Sequence, residues 1–193
     1  MGSMTRALLR LAAHPVNYWG GILLDASIAG GLLVHAMRTA SSGWAMEAGL
    51  LVGGLGLYGL VEYSIHRWAY HDHRSPVTRG HRLHHIDPEA LLALPFFVTA
   101  AAEMGVWAGL RLVLSDAAAS VLVAALVMGF VAYSLVHHVL HHRGPSWRLV
   151  RVLRHHHNIH HRYSGVNFGV TMTLWDWVFG THHLGAGPRG PRA

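Results

Sequence analysis

Residues 44–71 read WAMEAGLLVGGLGLYGLVEYSIHRWAYH, an apolar stretch that runs straight into two histidines, His66 and His71. About twenty apolar residues are what a helix needs to cross a hydrocarbon layer, so the pair sits where the chain leaves a membrane. The juxtaposition recurs. Histidines cluster as His66-x4-His71, His81-x2-His84-His85, His137-x3-His141 and His157-x2-His160-His161. Four apolar runs have the length of spans, at about residues 17–37, 44–65, 91–114 and 117–137.

The spacings make geometric sense on helices, where positions i, i+3 and i+4 share a face. His81, His84 and His85 point together, as do His157, His160 and His161, and as do His137 and His141. His66 and His71 are five apart, about 140° around an ideal helix. They converge only if the helix distorts or ends near Trp68 to Tyr70.

Imidazole is a ligand for iron, copper, zinc and nickel. One tetrahedral zinc takes about three or four protein ligands, so ten histidines predict two metals. No HExxH occurs, which removes the commonest zinc-protease reading. A histidine-rich tract of low complexity would be contiguous; this set is divided by two spanning segments. His73, His138, His142, His155, His156, His182 and His183 lie off these patterns and read as structural or exposed. Two metals held by histidine at a membrane face point to dioxygen chemistry on a lipid.

The chain has 193 residues, of which 52% are hydrophobic and 12% charged. That charged share is about half the globular norm of roughly 25%, as a membrane domain requires. The expected fold is therefore all-α: four transmembrane helices and a cytoplasmic helical cap, residues 66–90 and 138–184, that holds a di-metal site. The expected extent is one integral-membrane domain over 4–193, with a disordered tail at 185–193 rich in Gly, Pro and Arg. Met1-Gly2-Ser3 reads as an expression scar before Met4. The first run is too long for a signal peptide's core and reads as an anchor. Pro95 and Gly105 predict a kink in the third span, and Gly49 with Gly53 a small-xxx-small face on the second, followed by Gly54, Gly56 and Gly59. Zero cysteines exclude disulfides, thiolate metal sites and haem-thiolate chemistry.

Fifteen arginines and no lysine against nine acids give a net charge of +6. With the amino terminus inside, only Arg38 and Arg111 lie at outer ends of spans, as the positive-inside rule expects. That distribution argues against nucleic acid as the partner. The same orientation sends every histidine cluster, and both termini, to the cytoplasmic face. Arg148, Arg151 and Arg154 recur every three residues on an amphipathic helix. They read either as headgroup contacts or as a docking face for an acidic electron-donor protein.

Four stretches resemble the fatty acid hydroxylase superfamily of integral-membrane di-iron enzymes, which includes fatty acid 2-hydroxylases, sterol desaturases and sterol methyl oxidases. They are residues 62–71 (EYSIHRWAYH), 80–85 (GHRLHH), 133–145, and 156–181, the last containing HHNIHH followed by NFGVTMTLWDWVFGT. The resemblance implies that His66, His71, His81, His84, His85, His137, His141, His157, His160 and His161 bind two irons, with zinc able to substitute in a purified sample. The first and last stretches look most like fatty acid 2-hydroxylase domains. The gap between His71 and His81 is shorter than in the eukaryotic enzymes, which implies a reduced lid. No fused cytochrome domain precedes the first span. With no cysteine for an iron–sulfur cluster and no spare length for a haem domain, two electrons per turnover must come from a separate ferredoxin or b-type cytochrome with its reductase.

Metal-bound histidines pass their free N–H to nearby acceptors. Glu62, Asp87, Asp176 and Asn167 are the candidates. Asp25, Glu47 and Glu103 lie within spans, where ionisable groups are costly, with no partner visible in the sequence. The resemblance implies an O2-dependent monooxygenase that hydroxylates an unactivated C–H bond of a lipid, most simply a fatty-acyl chain. A desaturase and a sterol or carotenoid oxygenase share the scaffold. A metal transporter would instead place its ligands inside the spans.

Overall fold

The computed structural model describes residues 10–41, 43–71, 76–142 and 144–185, and among them every regular element is helical. The expression scar, Met4, His73 and all of the tail but Gly185 lie outside the described residues. The elements are α1 (Pro15–Thr39), α2 (Trp44–Ser64), a π-helical turn (Ile65–Tyr70) continuous with it, α3 (Pro76–Ile86), α4 (Phe96–Leu110), α5 (Asp116–His141), α6 (Arg148–Arg162) and the short α7 (Leu174–Val178).

Three helices are long and apolar enough to cross a membrane: Pro15–Thr39, Trp44–Tyr70 and Asp116–His141. The third expected span is different. The apolar run 91–114 is helical only over Phe96–Leu110, 15 residues, or about 22 Å against a core of about 30 Å. Proline is the reason. Pro95 has no N–H and disfavours helix in the residue before it, so α4 starts after Pro95 and contains no proline. At the other end, Val113 N–H bonds Leu110 O at 3.1 Å and the chain turns away.

The chain divides into two compact units, residues 1–58 with 90–131, and residues 59–89 with 132–193. In the first unit, Ala29, Leu32, Val123, Ala124 and Val127 form a buried core with Trp107 and Leu110 against it. The predicted Gly49 and Gly53 face is not the close contact: a Cβ at either would meet nothing within 4 Å. One at Gly54 would stand 2.6 Å from the Cβ of Ala125, so α2 and α5 approach there. Residues 54–59 also spell GLGLYG, the letters of a dinucleotide-binding fingerprint. They lie mid-helix rather than after a strand, so no phosphate-binding turn exists there.

Polar side chains tie the first unit together. Asn17 is buried, donates to Leu94 O at 3.1 Å and accepts from Phe96 N–H at 3.0 Å, so it caps α4 from another helix. Asp25 on α1 is hydrogen-bonded to Glu103 on α4, giving two of the intramembrane acids each other as partners. His35 Nε2 lies 2.8 Å from Asp116 Oδ2, and Arg111 pairs with the same carboxylate.

The second unit packs Leu140, Leu153 and Val170 into a core with Tyr133, Val136 and Val150 around it. Its closing segment, residues 163–185, folds over α6. Asn167 takes a positive φ of 55°, a conformation Asn tolerates better than most residues. It donates to His156 O at 3.2 Å and His183 O at 2.9 Å.

Candidate metal centre

All ten histidines selected by spacing lie in the second unit, and the structure sorts them into two groups of five. The first is His66, His71, His81, His85 and His160; the second is His84, His137, His141, His157 and His161. Within each group one ring nitrogen per residue lies within 4.8 Å of every other.

The wide turn at Ile65–Tyr70 brings the first pair together. A π-helix bonds i to i+5, so residues five apart share a face, and His66 and His71 stack with centroids 5.3 Å apart. The distortion expected near Trp68 is this turn. The HxxHH stretches behave differently from their expected single face. On α3, His81 and His85 serve the first group while His84 turns to the second; on α6, His157 and His161 serve the second group while His160 turns to the first.

The ring chemistry can be read from the outer nitrogens. His66 Nδ1 is 2.5 Å from Phe168 O, and His160 Nδ1 is 2.8 Å from Val166 O. A carbonyl only accepts, so both rings carry their hydrogen on Nδ1. Burial pushes the imidazoles of His81, His157 and His160 well below the usual histidine range. Burial likewise holds His161 at about 3 and His84 at about 2. A neutral ring with hydrogen on Nδ1 presents a bare lone pair at Nε2.

Those lone pairs face one another. Nε2 to Nε2 separations are 3.1 Å for His66–His81, 3.0 Å for His81–His71 and 3.2 Å for His160–His85. In the second group they are 3.1 Å for His137–His157 and 2.8 Å for His141–His157. Nitrogens bound at about 2.0–2.1 Å to one ion and at right angles to each other stand about 3 Å apart. His84 Nε2 is buried without a hydrogen-bond partner. Converging lone pairs at this spacing repel unless a cation lies between them, so the donor set fits two metal ions.

The acidic candidates stand one step further out. Glu62 accepts Val170 N–H at 2.6 Å, Thr171 N–H at 3.0 Å and the Thr171 hydroxyl. Asp176 accepts Phe168 N–H at 2.7 Å, Gly169 N–H at 2.8 Å and the Thr181 hydroxyl at 2.7 Å. Its remaining partner is His156 Nε2 at 3.0 Å. Burial raises the Asp176 carboxyl, and its hydrogen bonds from His156 and Thr181 outweigh that and hold it low. Neither carboxylate touches the ten rings; both pin the loop whose Phe168 carbonyl takes His66 Nδ1–H. The direct acceptors are backbone carbonyls, which no sequence letter marks. Asp87 is exposed, and its backbone N–H bonds Leu83 O at 2.9 Å. His156, which spacing passed over, is fully built into this loop support.

Arg154 is not free. Its guanidinium donates to Leu140 O at 3.0 Å and Val139 O at 2.8 Å, at the end of α5. Arg148 and Arg151 are exposed, so the three arginines do not form one open face.

A family model described as fatty acid hydroxylase matches residues 51–181. The chain is 33% identical over 145 residues to a dihydroceramide fatty acyl 2-hydroxylase of Arabidopsis thaliana, covering 70% of this chain and 61% of that protein. It is 32% identical over 147 residues to fatty acid 2-hydroxylase of Rattus norvegicus, covering 69% of this chain and 39% of that one. The chain thus spans less than two thirds of each of these relatives. A solved structure of full-length scs7p, with only its hydroxylase domain visible, superposes with a TM-score of 0.78 at 24% identity, covering 95% of this chain and 71% of that chain. At that identity the likeness concerns the fold.

Proposed function

We propose that this chain, which belongs to the fatty acid hydroxylase family, is a membrane-bound di-iron monooxygenase that hydroxylates a fatty-acyl chain. The observation that carries the reading is the pair of five-nitrogen groups. His66, His71, His81, His85 and His160 would hold one iron, and His84, His137, His141, His157 and His161 the other. Bound there, the irons supply the activation of dioxygen and the removal of hydrogen from an unactivated C–H bond. The reaction balances as one C–H bond and one O2, with two electrons and two protons, giving C–OH and water. The names of the relatives support an acyl substrate oxidised beside its carbonyl.

The protein's own part is to place and neutralise. Phe168 and Val166 carbonyls fix the tautomers of His66 and His160, so their Nε2 lone pairs face inward. Glu62 and Asp176 hold the loop that carries the Phe168 carbonyl. Ten neutral nitrogens and no carboxylate leave each site with the full charge of its ion.

The two electrons would come from a donor outside residues 4–193, since the 193 residues contain no cysteine to hold an iron–sulfur cluster. Residues 4–193 would form one integral-membrane hydroxylase domain with four crossings. Parity supports this. His84 on α3 and His141 on α5 belong to one group, so between them the chain crosses an even number of times. With α5 one crossing, residues 87–115 make the other, α4 being its helical part. The arginine distribution supports a cytoplasmic side for the histidines. Reporter fusions after Arg38 and near Ser115 should read outside, and one near Thr78 inside.

Lipid extracts from cells with and without the chain, compared by mass spectrometry, test the activity. A mass gain of about 16 on acyl species supports hydroxylation; a loss of about 2 would reassign the chain to desaturation, and no change would remove the reading.

A further inference from the structure

We propose that the beginning of α6 is a membrane-surface anchor that binds anionic phospholipid headgroups. Trp147, Leu149 and Val152 are 72%, 67% and 53% exposed, a run of bare apolar side chains at one helix start. Arg148 and Arg151 are interleaved with them and exposed, and Arg162 is exposed at the far end. The helix RLVRVLRHHHNIHHR contains no acid.

Position decides what covers this face. α5 is long and apolar enough to cross a membrane and ends at His141. Only residues 142–147 separate it from α6, and Arg154 fastens α6 to the Val139 and Leu140 carbonyls at the end of α5. The α6 start is therefore held at the level where the spanning helix emerges. Tryptophan favours that level, and a helix lying there buries apolar side chains among acyl chains while arginines reach headgroups. A soluble acidic donor would meet the same arginines but leave Trp147, Leu149 and Val152 in water. Negative lipid satisfies both halves of the surface.

The cysteine-free chain permits a direct test on the metal-loaded 193-residue protein. L149C and V152C, each carrying one environment-sensitive fluorophore, are placed in nanodiscs of phosphatidylcholine with one quarter phosphatidylserine. Lipids brominated high on the acyl chain should quench both labels. Moving the bromine from phosphatidylcholine to phosphatidylserine at equal mole fraction should strengthen the quenching several-fold, since each arginine near a surface is worth about a fivefold preference for anionic lipid. R148E/R151E should abolish that preference while metal content and melting temperature hold. Both labels lie on exposed positions, so the quenching result stands even if the charge-reversed variant misfolds. Absence of quenching at both labels would overturn the anchor. Equal quenching by the two lipids in the unreversed protein would overturn headgroup selection. A label that responds only to an added acidic ferredoxin or b-type cytochrome would assign the face to a protein donor and reject this one.

Discussion

His84 and His160 are exchanged: each sits in the HxxHH stretch of one helix and completes the nitrogen group built by the other. Neither group can be assembled by one helix alone, so α3 and α6 must dock before either set of five nitrogens is complete. His84→Ala and His160→Ala should each lower bound iron from two per chain toward one. Turnover should fall by more than about 100-fold, beyond what loss of a ligand's outer partner costs. His182→Ala, whose ring lies on Trp177 at 3.9 Å, should keep both ions. Elemental analysis of purified chains gives the answer; a fully loaded, active His160→Ala protein would remove the exchange.

Asp176 supports the site without touching it. Asp176→Ala strands two backbone N–H groups, a hydroxyl and an imidazole in a buried loop, and should destabilise by about 3 kcal/mol or more. Iron affinity should fall about 10–100-fold as the Phe168 carbonyl loosens from His66. Asp176→Asn, which keeps an acceptor, should lie between. Competition with a chelator followed by absorbance separates the three; equal affinities would restrict Asp176 to folding.

Acid should act on the metal-free protein in a defined direction. The folded imidazoles of His161 and His84 titrate at about 3 and about 2, from a usual value of 6.5. Between those limits the unfolded chain binds more protons than the folded one, so stability falls as pH falls below about 6.5. Melting temperatures of metal-free protein should be level above pH ~7 and drop steadily toward pH ~4. Loaded protein should also release metal across that window, because protons compete for the same lone pairs. A flat profile would mean that these rings take up protons as readily in the fold as in the unfolded chain.

Gly54 and Gly49 make an opposed pair of substitutions. Gly54→Val drives a side chain against Ala125 and should cost about 1–3 kcal/mol. Gly49→Ala meets open space and should be neutral or stabilising by up to about 1 kcal/mol. Thermal melts in detergent distinguish the two, and equal effects would contradict the close approach of α2 and α5.

The carboxyl pair between α1 and α4 predicts non-additivity. Asp25→Leu or Glu103→Leu alone leaves the other acid without its partner, whereas the double variant removes both. The coupling should be about 0.6–1.7 kcal/mol, the range of intramembrane hydrogen bonds. Simple addition of the single effects in a double-mutant cycle would dissolve the pair.

Much of this was readable from letters, for identifiable reasons. Hydropathy marks long apolar helices, and the first, second and fourth runs appear as α1, α2 with its π turn, and α5. Within the third run only Phe96–Leu110 is helical, because Pro95 withholds a donor that hydropathy does not register. Spacing gathered the ten histidines because i, i+3 and i+4 share a face. That rule does not say that a face is wide enough to be split between two nitrogen groups, so the exchange of His84 and His160 stayed hidden. The acceptors for His66 and His160 are main-chain carbonyls, and Arg154 is spent on two more. Such contacts depend on where the chain travels, not on which residue stands there.

The π turn at Ile65–Tyr70 makes the site sensitive to count rather than to kind. A turn that closes i to i+5 holds one residue more than an α-helical turn. Deleting a single residue between His66 and His71 would give α2 a straighter ladder and a more regular helix. It would also set the two histidines four apart and shift everything beyond them by about 100°. Substitution scans would overlook this, since each side chain in the turn can change without altering the tally. A one-codon deletion there is therefore the lesion to look for when the chain is abundant, well folded and inert.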